Sequence, residues 1–291
     1  MARINSLRHR AQFTVIAALL CAAPSTVYAA FEAQLYAITT WDAGCSGGTR
    51  TSWDDMGDAW YDEITDNSWS GGSGHGYQAY TRDRRLIDGN IADSWFTDRS
   101  LINFGNDTAF LDEGDAAMVC THGSEISGRW AGTMRINEKG GGNCKAWQNH
   151  MELGDVDLEF LHLSSCFSLD DNQWSFEWLD SFKGLHQVNG FHGVMWINIW
   201  RTAHYQSFAR DAFETSIAAA WLDNLYEPGA AGADDQCPVA YGSGASEADL
   251  WYRMGNERYN RVFSDPKAYW WGAIYMGGCD PNGEDACGSG I

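Results

Sequence analysis

The strongest constraint on this chain is an apolar run that stops on a cysteine. Val156-Asp-Leu-Glu-Phe-Leu-His-Leu-Ser-Ser-Cys166 is strand-like and ends among small polar residues. A mostly apolar run of this length suits a strand buried on both faces of a parallel sheet. A similar run, Ala116-Ala-Met-Val-Cys-Thr-His122-Gly123, ends on a His-Gly pair 44 positions before the cysteine. Open α/β sheets place their working residues just beyond the carboxyl ends of the strands. If the two runs lie side by side, His122 and Cys166 meet at one sheet edge.

The rest of the chain supplies the partners such strands need. Further strands are predicted over residues 31–40, 184–196, 238–241 and 270–276, and helices over 54–64, 145–153, 172–182, 202–226 and 247–263. Residues 77–114 follow neither period clearly. Strands alternating with helices predict an α/β fold, a three-layer α/β/α sandwich with a largely parallel sheet. No Pro/Ser-rich linker divides the chain and no internal repeat is visible, so residues 30–291 read as one domain with a Cys/Gly-rich tail.

Residues 1–29 read as a signal peptide. Arg3, Arg8 and Arg10 precede an apolar run over 13–23, Pro24 breaks it, and Val27-Tyr28-Ala29 offers a cleavage site. The run is shorter than the roughly 20 apolar residues of a spanning helix, so export without a retained anchor is the expectation. Loss of this segment removes three arginines and no acidic residue, which moves the formal net charge from −20 to −23. So acidic a chain is repelled by nucleic-acid phosphates and anionic lipid surfaces, and neither is an expected partner.

Of the eight cysteines, Cys21 leaves with the leader, and seven remain. An odd number in an oxidising compartment leaves at least one thiol unpaired. The sequence does not fix the pairing, although Cys279 and Cys287 bracket a short polar loop and form the simplest local pair.

The chemistry follows from the two strand ends. A free thiol titrates near 8.5 and is mostly protonated at neutral pH, whereas a neighbouring imidazole takes its proton and later returns it to a leaving amine. Gly123 leaves its N–H open to a substrate carbonyl, and with the N–H of Cys166 it forms a candidate oxyanion hole. Ser164 and Ser165 leave room for substrate. The expected reaction is cleavage or transfer of a peptide bond in a peptide or protein substrate.

An apolar strand ending in His-Gly, followed by one ending in a small residue and Cys, resembles the caspase-like cysteine peptidases, which include caspases, legumains, gingipains and clostripain. The resemblance implies a Cys166 nucleophile, a His122 acid/base, an oxyanion hole including Gly123, and cleavage after a preferred residue. The caspase signature Gln-Ala-Cys-x-Gly is absent, because here the run is Ser-Ser-Cys-Phe-Ser. Aspartate specificity is therefore not carried over.

On the substrate side the candidates are Ser165, Asp170 with Asp171, which suit a basic side chain, and His192, with His186 beside it on the following strand. Each also has a plain structural reading, as do Cys166 in a disulfide and His122 as a turn cap. Cys120 and His162 read as buried sheet residues, and His75 as a loop residue. No cofactor is implied. No Cys-x-x-Cys or His-Glu-x-x-His spacing points to zinc, and the 280–285 loop offers calcium oxygen ligands without the full EF-hand pattern. The competing function is an inactive exported binding protein on the same scaffold, with glycan binding through some of its 15 tryptophans.

Overall fold

The computed structural model describes residues 31–45, 47–66, 80–137, 144–170, 178–282 and 287. The leader, His75, Asp171, residues 172–177 of one expected helix and residues 283–285 of the 280–285 loop lie outside these residues. The chain folds as an α/β sandwich. Its strands are β1 (Glu32–Ala37), β2 (Thr81–Ile87), β3 (Ala116–Cys120), β4 (Gly123–Glu125), β5 (Trp130–Thr133), β6 (Lys145–Trp147), β7 (Phe160–Ser164), β8 (Gln187–His192), β9 (Glu227–Ala231), β10 (Asp234–Gly244) and β11 (Trp270–Tyr275). Its helices are α1 (Trp53–Ile64), α2 (Thr202–Asp211), α3 (Ile217–Leu225) and α4 (Glu247–Asn256).

The main sheet runs in the order β11-β10-β8-β7-β3-β1-β2, with β9 added on β10. Strands β2, β1, β3, β7 and β8 are mutually parallel, while β10 runs antiparallel to both β8 and β11. The central strands read as unbroken apolar runs because both faces are covered. In β3, Ala116, Met118 and Cys120 pack toward the helices, and Ala117 and Val119 pack toward the opposite face, as a period of two requires.

Among the described residues all four helices bear on one face, where Trp53, Met56 and Trp60 of α1 meet Tyr205 and Phe208 of α2 and Trp221 of α3. Among the described residues the other face is covered by short 3-10 turns and by the small antiparallel sheet β4-β5-β6, around Trp130, Trp178 and Leu185. The expected helix over 145–153 is β6 followed by a 3-10 turn, because pairing with β5 buries Ala146 against that cluster. The expected helix over 202–226 is split into α2 and α3. Ser216 accepts the Ala219 N–H at 3.2 Å and starts a new helix, which turns Ile217 and Trp221 into the core.

Strand β2 comes from the stretch whose sequence followed no period. Four of its seven residues are charged, and its arginines reach outward to Asp62, Glu113 and Asp58. A charged edge strand blunts pairing with other chains, and it also hides the alternation that marks a strand.

Two disulfides join described residues, Cys45–Cys144 and Cys237–Cys279. The second corrects the expected Cys279–Cys287 pair. Pairing of β10 with β11, Val239 opposite Tyr275, carries Cys237 alongside Cys279, and Cys287 packs against the two.

Candidate functional site

Strands β3 and β7 are adjacent and parallel, with Cys120 opposite Ser164. The next step of the ladder is kept by Thr121, whose N–H donates to the Ser164 carbonyl at 3.3 Å. His122 and Cys166 each stand two residues beyond that pair. They therefore leave the sheet at the same level on strands about 4.8 Å apart. Both turn toward the helix face: the His122 ring packs on Trp53 of α1 at 5.0 Å, and Cys166 packs against the helix-side core.

Gly123 explains how closely the two chain segments meet. A Cβ at this position would overlap the carbonyl oxygen of Cys166 and the hydroxyl of Ser165, and would come within 2.6 Å of the Trp130 indole nitrogen. No other residue fits without displacing backbone. In the β4–β5 ladder Ile126 and Arg129 exchange both hydrogen bonds, so alternation makes Gly123 and Gly132 a non-hydrogen-bonded pair. The Gly123 N–H is thereby directed away from β5.

His122 is clamped between two tryptophans and a loop. Its ring lies 4.7 Å from that of Trp41, and its Nε2 is 3.0 Å from the Gly48 carbonyl oxygen. A carbonyl only accepts, so Nε2 carries the hydrogen and Nδ1 is left as the acceptor. Burial lowers the imidazole pKa below its ordinary 6.5; the Gly48 bond opposes this, while Arg50 and Lys145 add to it. The ring is neutral at neutral pH.

Cys166 sits in a half-buried turn. Its sulfur accepts the Met195 N–H at 3.4 Å and lies 3.5 Å from the Met195 carbonyl. Burial raises its thiol pKa, and the Met195 amide and the positive charge of Arg50 pull it back down. Directly after it Phe167 has a φ of 53°, a left-handed conformation unusual for a bulky residue. It is held by a 2.7 Å bond from its N–H to the Gly193 carbonyl. Backbone strain of this kind is kept only where the surroundings over-determine it, and it concentrates at functional sites.

Of the residues expected on the substrate side, Ser165, Asp170 and His192 are fully buried, so from these positions they support the turn and present no surface to a substrate. Ser165 Oγ accepts the Trp130 indole N–H at 3.1 Å. Asp170 accepts the Gly193 N–H at 2.7 Å, and its carboxylate lies 3.4 Å from Nδ1 of His192. This clamp fixes the segment that ends at Met195, whose amide meets the Cys166 sulfur. Burying Asp170 also removes it as a partner for a basic substrate side chain.

His162 is a core residue, between Asn189 at 2.9 Å and Tyr259 at 2.7 Å, and burial lowers its pKa to about 3. Cys120 is buried beneath α1, with its thiol pushed up to about 12. His186 is buried at the opposite end of the sheet from Cys166. Sequence reading missed Gly48, Arg50 and Met195. The first two lie in the Cys45-to-Arg50 loop, whose paired glycines marked a turn and whose cysteine hinted at a tether. Met195 carried no signal, since it acts through its backbone.

Residues 73–273, more than half of the chain, match the family described as a domain of unknown function, DUF6345. The chain belongs to this family. Nothing among the curated proteins matches the chain. The matched span of DUF6345 includes β3 and β7, and hence both His122 and Cys166, but it leaves out β1 and the loop that carries Gly48 and Arg50.

Proposed function

We propose that this chain is an exported cysteine hydrolase on a caspase-like scaffold, cutting or transferring peptide bonds with Cys166 and His122. The observation that carries the reading is the register of β3 and β7, which brings the two side chains off adjacent strands at one level and on one face. Two disulfides fit an oxidising compartment, and no helix among the described residues is long and apolar enough to cross a membrane.

The site's chemistry fits a neutral dyad. Burial moves the thiol up and the imidazole down, so the resting pair is a thiol and an uncharged imidazole. As Cys166 Sγ attacks the carbonyl carbon, its proton passes to Nδ1 of His122, and the oxyanion is met by the N–H groups of Gly123 and Cys166. Collapse expels the amine, which takes the proton back from the imidazolium and leaves an acyl-thioester. Water, deprotonated by His122, releases the acid and restores the thiol.

The test is turnover of a peptide library by the exported protein, read by mass spectrometry, beside Cys166→Ala and His122→Ala. Cleavage lost in both variants supports the reading. A mature protein in which Cys166 is found disulfide-bonded, or turnover unchanged in Cys166→Ala, defeats it.

A second reading, an exported binding protein, is favoured by exposed rings around β11 and α4. Tyr269 is 69% exposed, Trp270 48% and Tyr252 51%, beside a cavity of about 310 Å³ bounded by Trp251, Ala273, Ile274 and Tyr275. Retention on immobilised polysaccharide, lost in Trp270→Ala and kept in Cys166→Ala, would select this reading.

A further inference from the structure

The pole of the sheet opposite Cys166 gathers the starts of the parallel strands. Glu32 begins β1, Asp115 immediately precedes β3, Glu159 immediately precedes β7, and His186 immediately precedes β8. Backbone bonds knit them together: Glu159 and Phe160 donate to the Asp115 carbonyl, and His186 donates to the Glu159 carbonyl at 2.9 Å. Strands held this way bring their flanking side chains together as well. One oxygen each from Asp115, Asp157 and Glu159 lie within 4.8 Å of one another.

Carboxylates at that spacing repel, and among the described residues no lysine or arginine forms an ion pair with any of the three. Asp115 accepts one backbone N–H, that of Glu32, at 2.5 Å. Oε2 of Glu159 is buried with no hydrogen-bond partner. Asp157 and Glu159, with Asp265, Gly154 and Gly184, line a cavity of about 40 Å³.

A second observation comes from His186, whose side chain is fully buried. Its Nδ1 lies 2.9 Å from Glu257, a carboxylate that also accepts from Arg253 at 3.2 Å. A carboxylate accepts, so Nδ1 carries the hydrogen and Nε2 offers a lone pair. That Nε2 has no hydrogen-bond partner and lies 3.8 Å from an oxygen of Asp265, at the wall of the same cavity. Two acceptors facing each other at this distance call for something positive between them. An imidazole that gives its other N–H to a carboxylate is the usual setting of a metal-facing histidine.

We propose that this pole binds a divalent cation through the carboxylates of Asp115, Asp157 and Glu159, with His186 and Asp265 at its rim. A donor set dominated by carboxylate oxygens suits calcium or manganese. The ion ties together the starts of β3 and β7, and its role is to hold the sheet far from Cys166.

The experiment is thermal unfolding of the exported full chain after chelation, with CaCl2 and with MnCl2 in separate arms, against NaCl at matched ionic strength. A site filled to 100 times its dissociation constant raises the melting temperature by about 5 °C. The proposal expects that rise with calcium or manganese, its loss in Asp157→Asn and Glu159→Gln, and an ion-free Glu159→Gln that melts no lower than the parent. Asp157 is exposed, so its variant tests the site even if Glu159→Gln fails to fold. No rise, a rise matched by NaCl, or a rise kept in Asp157→Asn and lost in Asp280→Asn overturns the proposal. The ranking of the two ions decides between calcium and manganese, and the readout does not depend on catalysis.

Discussion

Gly123 lies so close to Cys166 that the space between them holds a hydrogen atom and nothing larger. A methyl group on Gly123 would run into the Cys166 carbonyl oxygen, and the Ser165 hydroxyl and the Trp130 indole would crowd it as well. Gly123→Ala is therefore expected to cost about 1–3 kcal/mol, the usual penalty for overpacking. It should also move the Cys166 turn. Urea unfolding measures the first effect and the alkylation rate of Cys166 the second; a variant as stable as the parent would show that the two segments separate easily.

Because burial lowers the His122 pKa, the imidazole stays unprotonated, and competent as a base, below its ordinary 6.5. The acid limb of kcat/KM is expected below pH 6.5. Burial raises the Cys166 thiol pKa, so half-maximal iodoacetamide labelling is expected at a higher pH than for an exposed cysteine. An acid limb above 6.5 would mean that the imidazole is held in its charged form by its neighbours.

Arg50 touches the electrostatics of both residues. Its charge lowers the His122 pKa by repelling the imidazolium and lowers the Cys166 pKa by attracting the thiolate. Arg50→Gln should move both upward. Proton resonances of the His122 ring, followed through a pH titration, report the first shift, and the pH dependence of Cys166 alkylation reports the second.

Stability against pH should have an acid and an alkaline limb, with His162 contributing to the first and Glu159 to the second. His162 is neutral in the fold down to about 3, while the unfolded imidazole binds its proton near 6.5, so stability falls as the pH drops through that window. The slope from one such group is at most about 1.4 kcal/mol per pH unit. Glu159 behaves oppositely. Its folded pKa is raised to about 9, so its contribution is present below the unfolded value and is lost as the pH climbs toward 9. Glu159→Gln should make the alkaline limb shallower in the absence of divalent ions without abolishing it, because burial raises Asp107, Asp112 and Asp115 as well, and it should leave the acid limb alone. Unfolding midpoints from pH 4 to 9 test both.

The apolar runs made the sheet legible before any coordinates. β1, β3, β7, β8 and β11 fall where alternation or continuous apolarity places them, and the adjacency of β3 and β7 follows from one ordinary parallel connection. What escaped was set by tertiary contact. β2 is an edge strand whose arginines face solvent and acidic partners, so no period survives in it. Residues 145–147 have no strand pattern of their own and pair because β5 lies beside them. At the site, His122, Cys166 and Gly123 could be read from strand ends, while Asp170 and His192 looked like substrate contacts because the sequence does not reveal burial. Gly48 and Met195 act through backbone atoms that every residue carries, and only the fold singles them out.

The Cys45–Cys144 bridge closes a loop across 99 positions of sequence. It anchors the stretch whose Gly48 carbonyl holds Nε2 of His122, three residues from the bridged cysteine. Without that bond the stretch is held by weaker contacts, among them the Asp42 N–H on the Arg135 carbonyl at 3.1 Å and the Trp41 indole N–H on the Thr133 carbonyl at 2.9 Å. The disulfide thus adds a covalent lock to a brace over His122 that hydrogen bonds alone leave reversible, and an oxidising compartment is what maintains it.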